Sequence, residues 1–183
     1  AVHVPLSDKA QQEAKELMAA NKNLLGPGNG LPIVSAKMLD IVLGCYWVTK
    51  DVDGELGEGL YFSSPNEAIT ALDFGRVSYR AKITVMGTDS PKYEQYDGKP
   101  FETSVGRLLF NSVLPKGLPF FNKEIDRKEI ATIINLLIDR YGIDGTPPIL
   151  DKIKDFGFKF VTISGITWGM DEVTIPESKD GYV

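Results

Sequence analysis

The sequence is poor in the residue types on which most metal and redox sites depend. Its 183 residues include one cysteine, Cys45, and one histidine, His3. A single cysteine excludes an internal disulfide and any multi-cysteine zinc site, and it fits a reducing cytoplasm. A site rich in histidine is excluded as well, and a catalytic triad would have to be built on His3. We therefore interpret His3 as structural and Cys45, which lies among apolar neighbours, as part of the core.

The chain also lacks an excess of positive charge and any long apolar run. Its 20 Lys and Arg against 25 Asp and Glu side chains give a formal net charge of −5, which does not attract nucleic acid or an anionic membrane. The longest apolar run, 41–48, is far shorter than the ~20 residues that span a bilayer. The first ten residues do not resemble a signal peptide. We expect a globular, cytoplasmic protein without membrane contact.

Hydrophobic periodicity and turn residues predict an α+β fold of helices and short antiparallel strands. The first half is predicted to contain a helix capped by Ser7 and ending near residue 21, a helix at 38–48, a strand at 60–63, a helix from Ser64 to Gly75 and a strand at 78–86. The second half is predicted to contain a surface loop or hairpin tip at 87–100 and helices that start at Thr103 or Ser104, at Asp126 and at Thr146, the last two ending at Gly142 and Gly157.

Two glycine-containing motifs have the appearance of ligand-binding loops. "DVDGEL", at 51–56, has glycine at its fourth position, whereas a calcium-binding EF-hand loop needs glycine at its sixth. "GPGNG", at 26–30, lacks the preceding strand and the following Lys-Ser/Thr helix of a phosphate-binding loop. Both motifs are predicted to be turns. In "GPGNG", Asn29 and Gly30 are expected to supply the positive φ angles of the turn. No self-contained catalytic group of residues emerges from the chain.

The stretch "ETSVGRLLFNSVLP", at 102–115, combines a strongly apolar helix with one arginine. At helical spacing the apolar side chains cover most of the surface, and Ser104, Arg107 and Asn111 form one narrow polar stripe. Gly106 lies inside the apolar arc, where a missing side chain lets another backbone come close. Two interpretations of Arg107 remain open. It forms a structural ion pair with a neighbouring carboxylate, or it is a fixed donor for carboxylate or phosphate near a functional channel.

Several stretches, read together, resemble one protein family. They are "AVHVPLS", "AQQEAKELM", "NLLGPGNGLPIV", "DIVLGCYWVT", "GEGLYFSSPNEAITAL", "ETSVGRLLFNSVLP" and "LDKIKDFGFKFVTISGITWGMDEVTIPE". In this order and at this spacing they are similar to the large catalytic β′ subunit of bacterial DNA-directed RNA polymerases. The resemblance covers nearly the whole chain, and such a collinear set is far more specific than any single motif.

The resemblance implies that the chain is a fragment without catalytic residues or metal ligands of its own. In the family, the segment similar to "AVHVPLS" follows an Asn-Ala-Asp-Phe-Asp-Gly-Asp motif, whose aspartates hold the catalytic Mg²⁺ of the parent enzyme. The family chemistry is two-metal nucleotidyl transfer from ribonucleoside triphosphates. The resemblance assigns 1–37 to the end of the active-site module, 38–163 to the pore module of the secondary channel, and 164–183 to the start of the funnel.

The resemblance also implies partners and site residues. The implied partners are the polymerase β, α and ω subunits, the DNA template and the RNA transcript. The residues implied to lie near nucleotide, RNA or channel are His3, Asn29, Lys37, Arg107 and Asn111. Lys37 is a candidate because the chain reads "SAKML" where the family has a shorter approach resembling Ser-Gln-Asp. Near the end of the chain, "GMDEV" replaces one of two family aspartates by glutamate, which keeps the charge.

Two other functions remain open at the level of the sequence. A stand-alone module that binds a small molecule would need a self-sufficient core and a closed pocket. An interaction adaptor would need an exposed apolar patch as its working surface. The polymerase interpretation makes a different prediction, which is an incomplete core. Apolar side chains of the first helix and of segment 38–48 should be unusually exposed, because in the family they pack against the active-site module.

Overall fold

The computed structural model describes residues 3–28, 30, 32–33, 39–174 and 179. Its α-helices are α1 (Asp8–Glu13), α2 (Leu39–Thr49), α3 (Pro65–Asp73), α4 (Val105–Val113), α5 (Arg127–Gly145) and α6 (Pro147–Ser164). Its strands are β1 (Tyr61–Phe62), β2 (Ile83–Met86) and β3 (Pro100–Thr103). Shorter π and 3-10 segments lie at Ala14–Met18, Ala20–Lys22, Pro91–Tyr96 and Met170–Glu172. The predicted α+β class is confirmed.

The strands form a small mixed sheet in the order β1-β2-β3. β2 and β3 are antiparallel, with Val85 opposite Phe101, as expected for the hairpin whose tip is 87–100. The prediction of antiparallel strands alone is wrong, because β1 runs parallel to β2, with Phe62 opposite Val85. Parallel strands require a crossover connection, and α3 supplies it between β1 and β2.

Strand β2 is shorter than the predicted strand at 78–86. The first half of the predicted strand forms backbone hydrogen bonds with the preceding loop instead of with another strand. Ser78 N–H donates to Leu56 O at 2.8 Å, and Gly59 N–H donates to Lys82 O at 2.8 Å. The predicted alternation persists, because Ala81 and Ile83 are buried. The segment is not extended throughout, because Tyr79 and Arg80 lie in a turn, and the sheet ladder covers only its end.

Helix α4 contributes side chains to both hydrophobic clusters of the described residues. One cluster joins α2, α5 and α6 and contains Phe110 of α4. The other joins the sheet and α3 and contains Val105 and Leu108 of α4. The apolar arc of α4 is wide because the helix is covered from both sides. This double contact makes α4 the element that positions the two clusters relative to each other.

The prediction that Gly157 ends the last helix is wrong. Helix α6 continues to Ser164 and ends at Gly165, whose φ is +59°. Gly157 lies inside α6 against α2, where a Cβ would come within 2.7 Å of the Ile41 backbone oxygen. Gly44 of α2 faces the same contact, because its Cβ would overlap the Gly157 carbonyl oxygen. The two glycines therefore serve close packing of two helices.

The N-terminal segment leaves its apolar side chains exposed, as predicted. Ser7 caps α1, because Ala10 N–H donates to Ser7 Oγ at 3.2 Å. None of the residues of α1 or of the following π segment is buried, and Leu17 and Met18 are 64% and 78% exposed. In α2, the side chains Leu43, Tyr46 and Trp47 are only half-buried. The expected exposure of apolar side chains is confirmed for the first helix but not for α2, where Ile41, Cys45 and Val48 are buried and Trp47 packs against the core.

Candidate functional site

The start of α4 lies in close contact with two other backbone segments. Ser104, in an extended conformation, is the N-cap residue, although its hydroxyl makes no capping bond. Gly106 N–H donates to Tyr79 O at 2.8 Å. A Cβ on Gly106 would overlap the carbonyl oxygen of Val48 in α2. The predicted close backbone approach at Gly106 is confirmed, and it brings the next residue, Arg107, to the end of α2.

The guanidinium of Arg107 contacts three groups at once. Nη2 lies 2.7 Å from Asp51 Oδ2, and the Arg107 side chain is 11% exposed. Nε donates to the backbone oxygen of Thr49 at 3.0 Å, and Nη1 donates to Asn122 Oδ1 at 3.4 Å. The structure therefore has the ion pair of the first interpretation. All three nitrogen atoms of the fork are directed at partners within the chain.

The Arg107 ion pair also stabilises the C-terminus of α2. Thr49 is the last residue of α2, and its unpaired carbonyl receives the Arg107 Nε–H. A cation at this position complements the negative end of the helix dipole. The Thr49 hydroxyl in turn accepts a hydrogen bond from Ile125 N–H at 2.9 Å. Arg107 thus connects α4, the end of α2 and the residues just before α5.

Asn111 fixes the connection between α4 and α5. Its side chain is fully buried. Nδ2 donates to Arg107 O and to Phe121 O, both at 2.9 Å. Oδ1 accepts from Phe121 N–H at 2.8 Å. The Asn111 amide thus binds both the N–H and the C=O of Phe121, as a neighbouring backbone segment would. It also holds the adjacent Asn122 near Arg107. Within the predicted polar stripe of α4, Arg107 and Asn111 form internal hydrogen bonds, whereas the buried Ser104 hydroxyl has no hydrogen-bond partner among the described residues.

Lys92, which the sequence analysis did not single out, is buried beside the other end of α4. The residue is 7% exposed, and its Nζ donates to the backbone oxygen atoms of Asn111 and, at 2.9 Å, of Leu114. Burial lowers its pKa to about 8. The prediction of a surface loop at 87–100 is wrong at this residue, because Lys92 points inward. The only sequence feature that indicates burial of this loop is the presence of Tyr93 and Tyr96, since aromatic side chains favour burial.

Of the three remaining predicted site residues, His3 alone lies within the described part of the chain. His3 is exposed, so the structural role expected for it is not found. Asn29 and Lys37 lie outside the described residues, as does part of the "GPGNG" turn. Arg107 and Asn111 are brought together on one helix face. Whether any of the five lies beside nucleotide or RNA stays a prediction.

Within the described part of the chain, neither the lone cysteine nor the cavity between α3, α4 and α6 forms a separate chemical site. Cys45 is fully buried, and burial raises the pKa of its thiol to about 12, as expected for a packing residue. A cavity of about 430 Å³ lies between α3, α4 and α6, but its rim residues Asp155 and Lys159 are exposed. It is therefore open to solvent, unlike the closed pocket that a stand-alone binding module requires.

The residues that the structure describes do not fit a magnesium site. Among them, no group of three or more His, Cys, Asp and Glu side chains is placed to hold a metal ion. The magnesium ion implied by the resemblance would need carboxylate oxygens that converge on one point. Within the same described part of the chain, no helix has the length and apolar character needed to cross a membrane.

Known proteins similar to this chain were identified by sequence comparison. The family model for RNA polymerase Rpb1, domain 3, matches residues 23–173. The DNA-directed RNA polymerase subunit beta′ of Desulforamulus reducens is 45% identical over 98% of this chain and 14% of its own length. The corresponding subunit of Bordetella pertussis is 42% identical over 100% of this chain and 13% of its own length. The chain thus spans about one seventh of these relatives.

Proposed function

Since this chain belongs to the family of RNA polymerase β′ subunits, we propose that it functions as a segment of such a subunit in a DNA-directed RNA polymerase. The complex would synthesise RNA on a DNA template from ribonucleoside triphosphates. The observation that carries the proposal is the similarity over nearly the whole chain. Its partners would be the β, α and ω subunits, the DNA template and the RNA transcript.

In this proposal the chain supplies structure beside the active centre. Residues 38–163 form the pore wall of the secondary channel, between the end of the active-site module at 1–37 and the start of the funnel at 164–183. In this proposal the catalytic magnesium is held by residues outside this chain. No step of nucleotidyl transfer is assigned to a side chain described here.

The Arg107 network is the part of the pore wall on which we expect activity to depend. A bidentate or forked guanidinium fixes the angle between its partners as well as their distance. Arg107 does this for Thr49 and Asp51, at the end of α2, and for Asn122, before α5, and so joins two distant segments to α4. A shift of one of these segments would displace the wall relative to the active centre, and displacements near 1 Å are sufficient to slow catalysis.

A chimaeric polymerase tests the proposal. The matching segment of the Desulforamulus reducens β′ subunit is replaced by this chain, and assembly with β, α and ω is checked by gel filtration before transcription is measured. We expect the assembled chimaera to synthesise RNA from a template. An Arg107→Ala chimaera should assemble but elongate more slowly. A chimaera that assembles with wild-type residues and makes no RNA would contradict the proposal.

A further inference from the structure

The buried Lys92 connects the β2–β3 hairpin to the helix that carries Arg107. We propose that Lys92 is a positioning residue for the Arg107 network, which it holds in place through the end of α4 and the connection 114–122. The effect that this proposal predicts on elongation rests on the proposed function, whereas the effect that it predicts on amide hydrogen exchange does not. Lys92 and Arg107 do not contact each other, so the argument follows the hydrogen bonds between them.

The first link is between Lys92 and the C-terminus of α4. The last carbonyl groups of a helix have no partner within the helix. Lys92 Nζ donates to two carbonyls at this end, Asn111 O and Leu114 O. Its positive charge also complements the negative end of the helix dipole. Lys92 thus performs the function of a C-terminal cap, although it lies 19 residues before Asn111 in the chain.

The second link is between the Lys92 segment and Phe120. Phe120 N–H donates to Lys92 O at 3.1 Å, and Gln95 Nε2 donates to Phe120 O at 3.0 Å. The Phe120 ring lies 5.2 Å from the Tyr93 ring, centroid to centroid. Residue 120 is therefore held on both its backbone groups and on its ring by the segment Pro91–Tyr96.

The third link runs from residue 120 to Arg107. The adjacent residue, Phe121, is held by the side chain of Asn111, whose backbone oxygen is bound to Lys92. Asn122 follows and accepts a hydrogen bond from Arg107 Nη1. Lys92 therefore anchors both ends of the path, the Asn111 backbone and the Phe120 backbone. Asn122 Nδ2 also donates to Glu102 O at 2.7 Å, so we expect loss of the Lys92 anchor to loosen the contact between Asn122 and Arg107 without releasing Asn122 entirely.

The position of Lys92 requires a side chain that donates hydrogen bonds, and an apolar side chain of similar size would not be sufficient. Within the described part of the chain, no carboxylate forms an ion pair with the Lys92 ammonium. Glu94 and Arg140 line the cavity next to it, and the Arg140 guanidinium donates to Gly117 O. Burying an ammonium without a counter-ion is unfavourable, whereas an aliphatic side chain would be buried easily. The two carbonyl groups are what the lysine satisfies.

Amide hydrogen exchange tests whether Lys92 anchors the connection. The full-length subunit is assembled in its polymerase, and peptides covering 114–122 are followed by mass spectrometry. In Lys92→Met, the Phe120 and Phe121 amides should exchange about tenfold faster. Their own acceptors, Lys92 O and Asn111 Oδ1, remain in this variant, so the increase reports local opening of the connection after the two Lys92 Nζ hydrogen bonds are lost. Lys99→Met is the matched control, because Lys99 lies in the same hairpin with its side chain 77% exposed. Unchanged exchange in Lys92→Met would overturn the proposal.

A comparison of variants tests whether Lys92 acts through Arg107. Elongation rates are measured for Lys92→Met, Lys92→Gln, Arg107→Lys and the double variant Lys92→Met/Arg107→Lys. As a single substitution, Lys92→Met should slow elongation. In the double variant, it should slow elongation no further than Arg107→Lys does by itself. Lys92→Gln keeps a hydrogen-bond donor and should slow elongation less. Effects that multiply in the double variant would overturn positioning through Arg107. If neither Lys92→Met nor Arg107→Lys alters elongation, the pore-wall role fails, and the exchange data still decide whether Lys92 anchors the network.

Discussion

At the scale of single residues, the sequence predicts which side chains are unusual but not their partners. A polar stripe on an otherwise apolar helix identifies Arg107 and Asn111 because a buried polar group needs a partner. The partner Asp51 could not be predicted, since it lies in a turn of ordinary composition far away in the chain. Lys92 could not be predicted either, because the neighbouring Tyr93 and Tyr96 indicate burial of the loop but do not show which of its polar side chains points inward.

Arg107→Ala should destabilise the chain by about 2–3 kcal/mol, because Asp51 loses a charged hydrogen-bond partner and Thr49 O loses its donor. The effect should lie below the roughly 3–5 kcal/mol of a fully buried pair, since the Asp51 side chain is 22% exposed. Arg107→Lys should recover only part of the loss, because an ammonium does not provide the planar fork. Urea unfolding measures both. Wild-type stability in Arg107→Lys would show that charge alone is sufficient.

The lowered pKa of Lys92 predicts that the stability of the chain depends on pH. Burial lowers its pKa in the folded chain to about 8, from an ordinary value of 10.5. Between these two values the unfolded chain binds more protons than the folded chain, so the free energy of unfolding should rise with pH across this window. The rise should be absent in Lys92→Met and present in Lys99→Met. The measurement is urea unfolding at a series of pH values from 7 to 10.5, and a rise of equal size in all three chains would contradict the assignment to Lys92.

At the scale of elements, most helix starts could be predicted and one helix end could not. Ser64 and Asp126 are N-caps whose side chains accept from the backbone three residues later, a local arrangement that the sequence contains in full. Gly157 was interpreted as a stop because glycine commonly follows the last helical turn. Its actual role depends on Gly44 in a helix more than a hundred residues earlier, and no local pattern reports such a contact.

Gly106→Ala and Gly157→Ala should destabilise the chain, against the usual preference of helices for alanine. At an open helical position this change would add up to about 1 kcal/mol of stability. Here a Cβ at Gly106 meets the Val48 carbonyl, and a Cβ at Gly157 meets the backbone of Ile41. Forcing atoms into a packed contact costs about 1–3 kcal/mol or more. The control is Gly169→Ala, whose Cβ would be 3.9 Å from its nearest neighbour; a stability gain at Gly106 would refute the close contact.

At the scale of the whole molecule, the chain combines a well-packed centre with an N-terminal segment, residues 3–18, in which no residue is buried. Helix α4 joins both hydrophobic clusters, whereas Leu6, Leu17 and Met18 are 90%, 64% and 78% exposed. Exposed apolar side chains at this density are typical of a surface that another protein segment covers. The chain also matches only about one seventh of its relatives. Both observations favour a segment that is completed by the rest of a larger subunit.

The isolated chain should synthesise no RNA and should bind magnesium only weakly. No described cluster of carboxylates is available to hold the ions on which nucleotidyl transfer depends. Template-dependent incorporation of labelled nucleotides measures the first expectation, and calorimetric titration with magnesium measures the second. The assembled polymerase is the positive control. RNA synthesis by the purified chain, with contaminating polymerase excluded, would refute its assignment as a non-catalytic segment.

Substitution of the exposed apolar residues should separate assembly from stability. Leu17→Ser combined with Met18→Ser removes apolar surface that is in contact with water in this structure, so the free energy of unfolding of the chain should stay within about 0.5 kcal/mol of the wild type. In the full-length subunit the same surface is expected to be covered, where each lost side chain would weaken the contact by about 1.5–3 kcal/mol. Assembly with β, α and ω should therefore be reduced. Gln12→Ser, on the exposed polar part of α1, is the control and should assemble normally. Normal assembly of the double variant would mean that this surface stays exposed in the polymerase, and the N-terminal segment would then need another explanation for its apolar side chains.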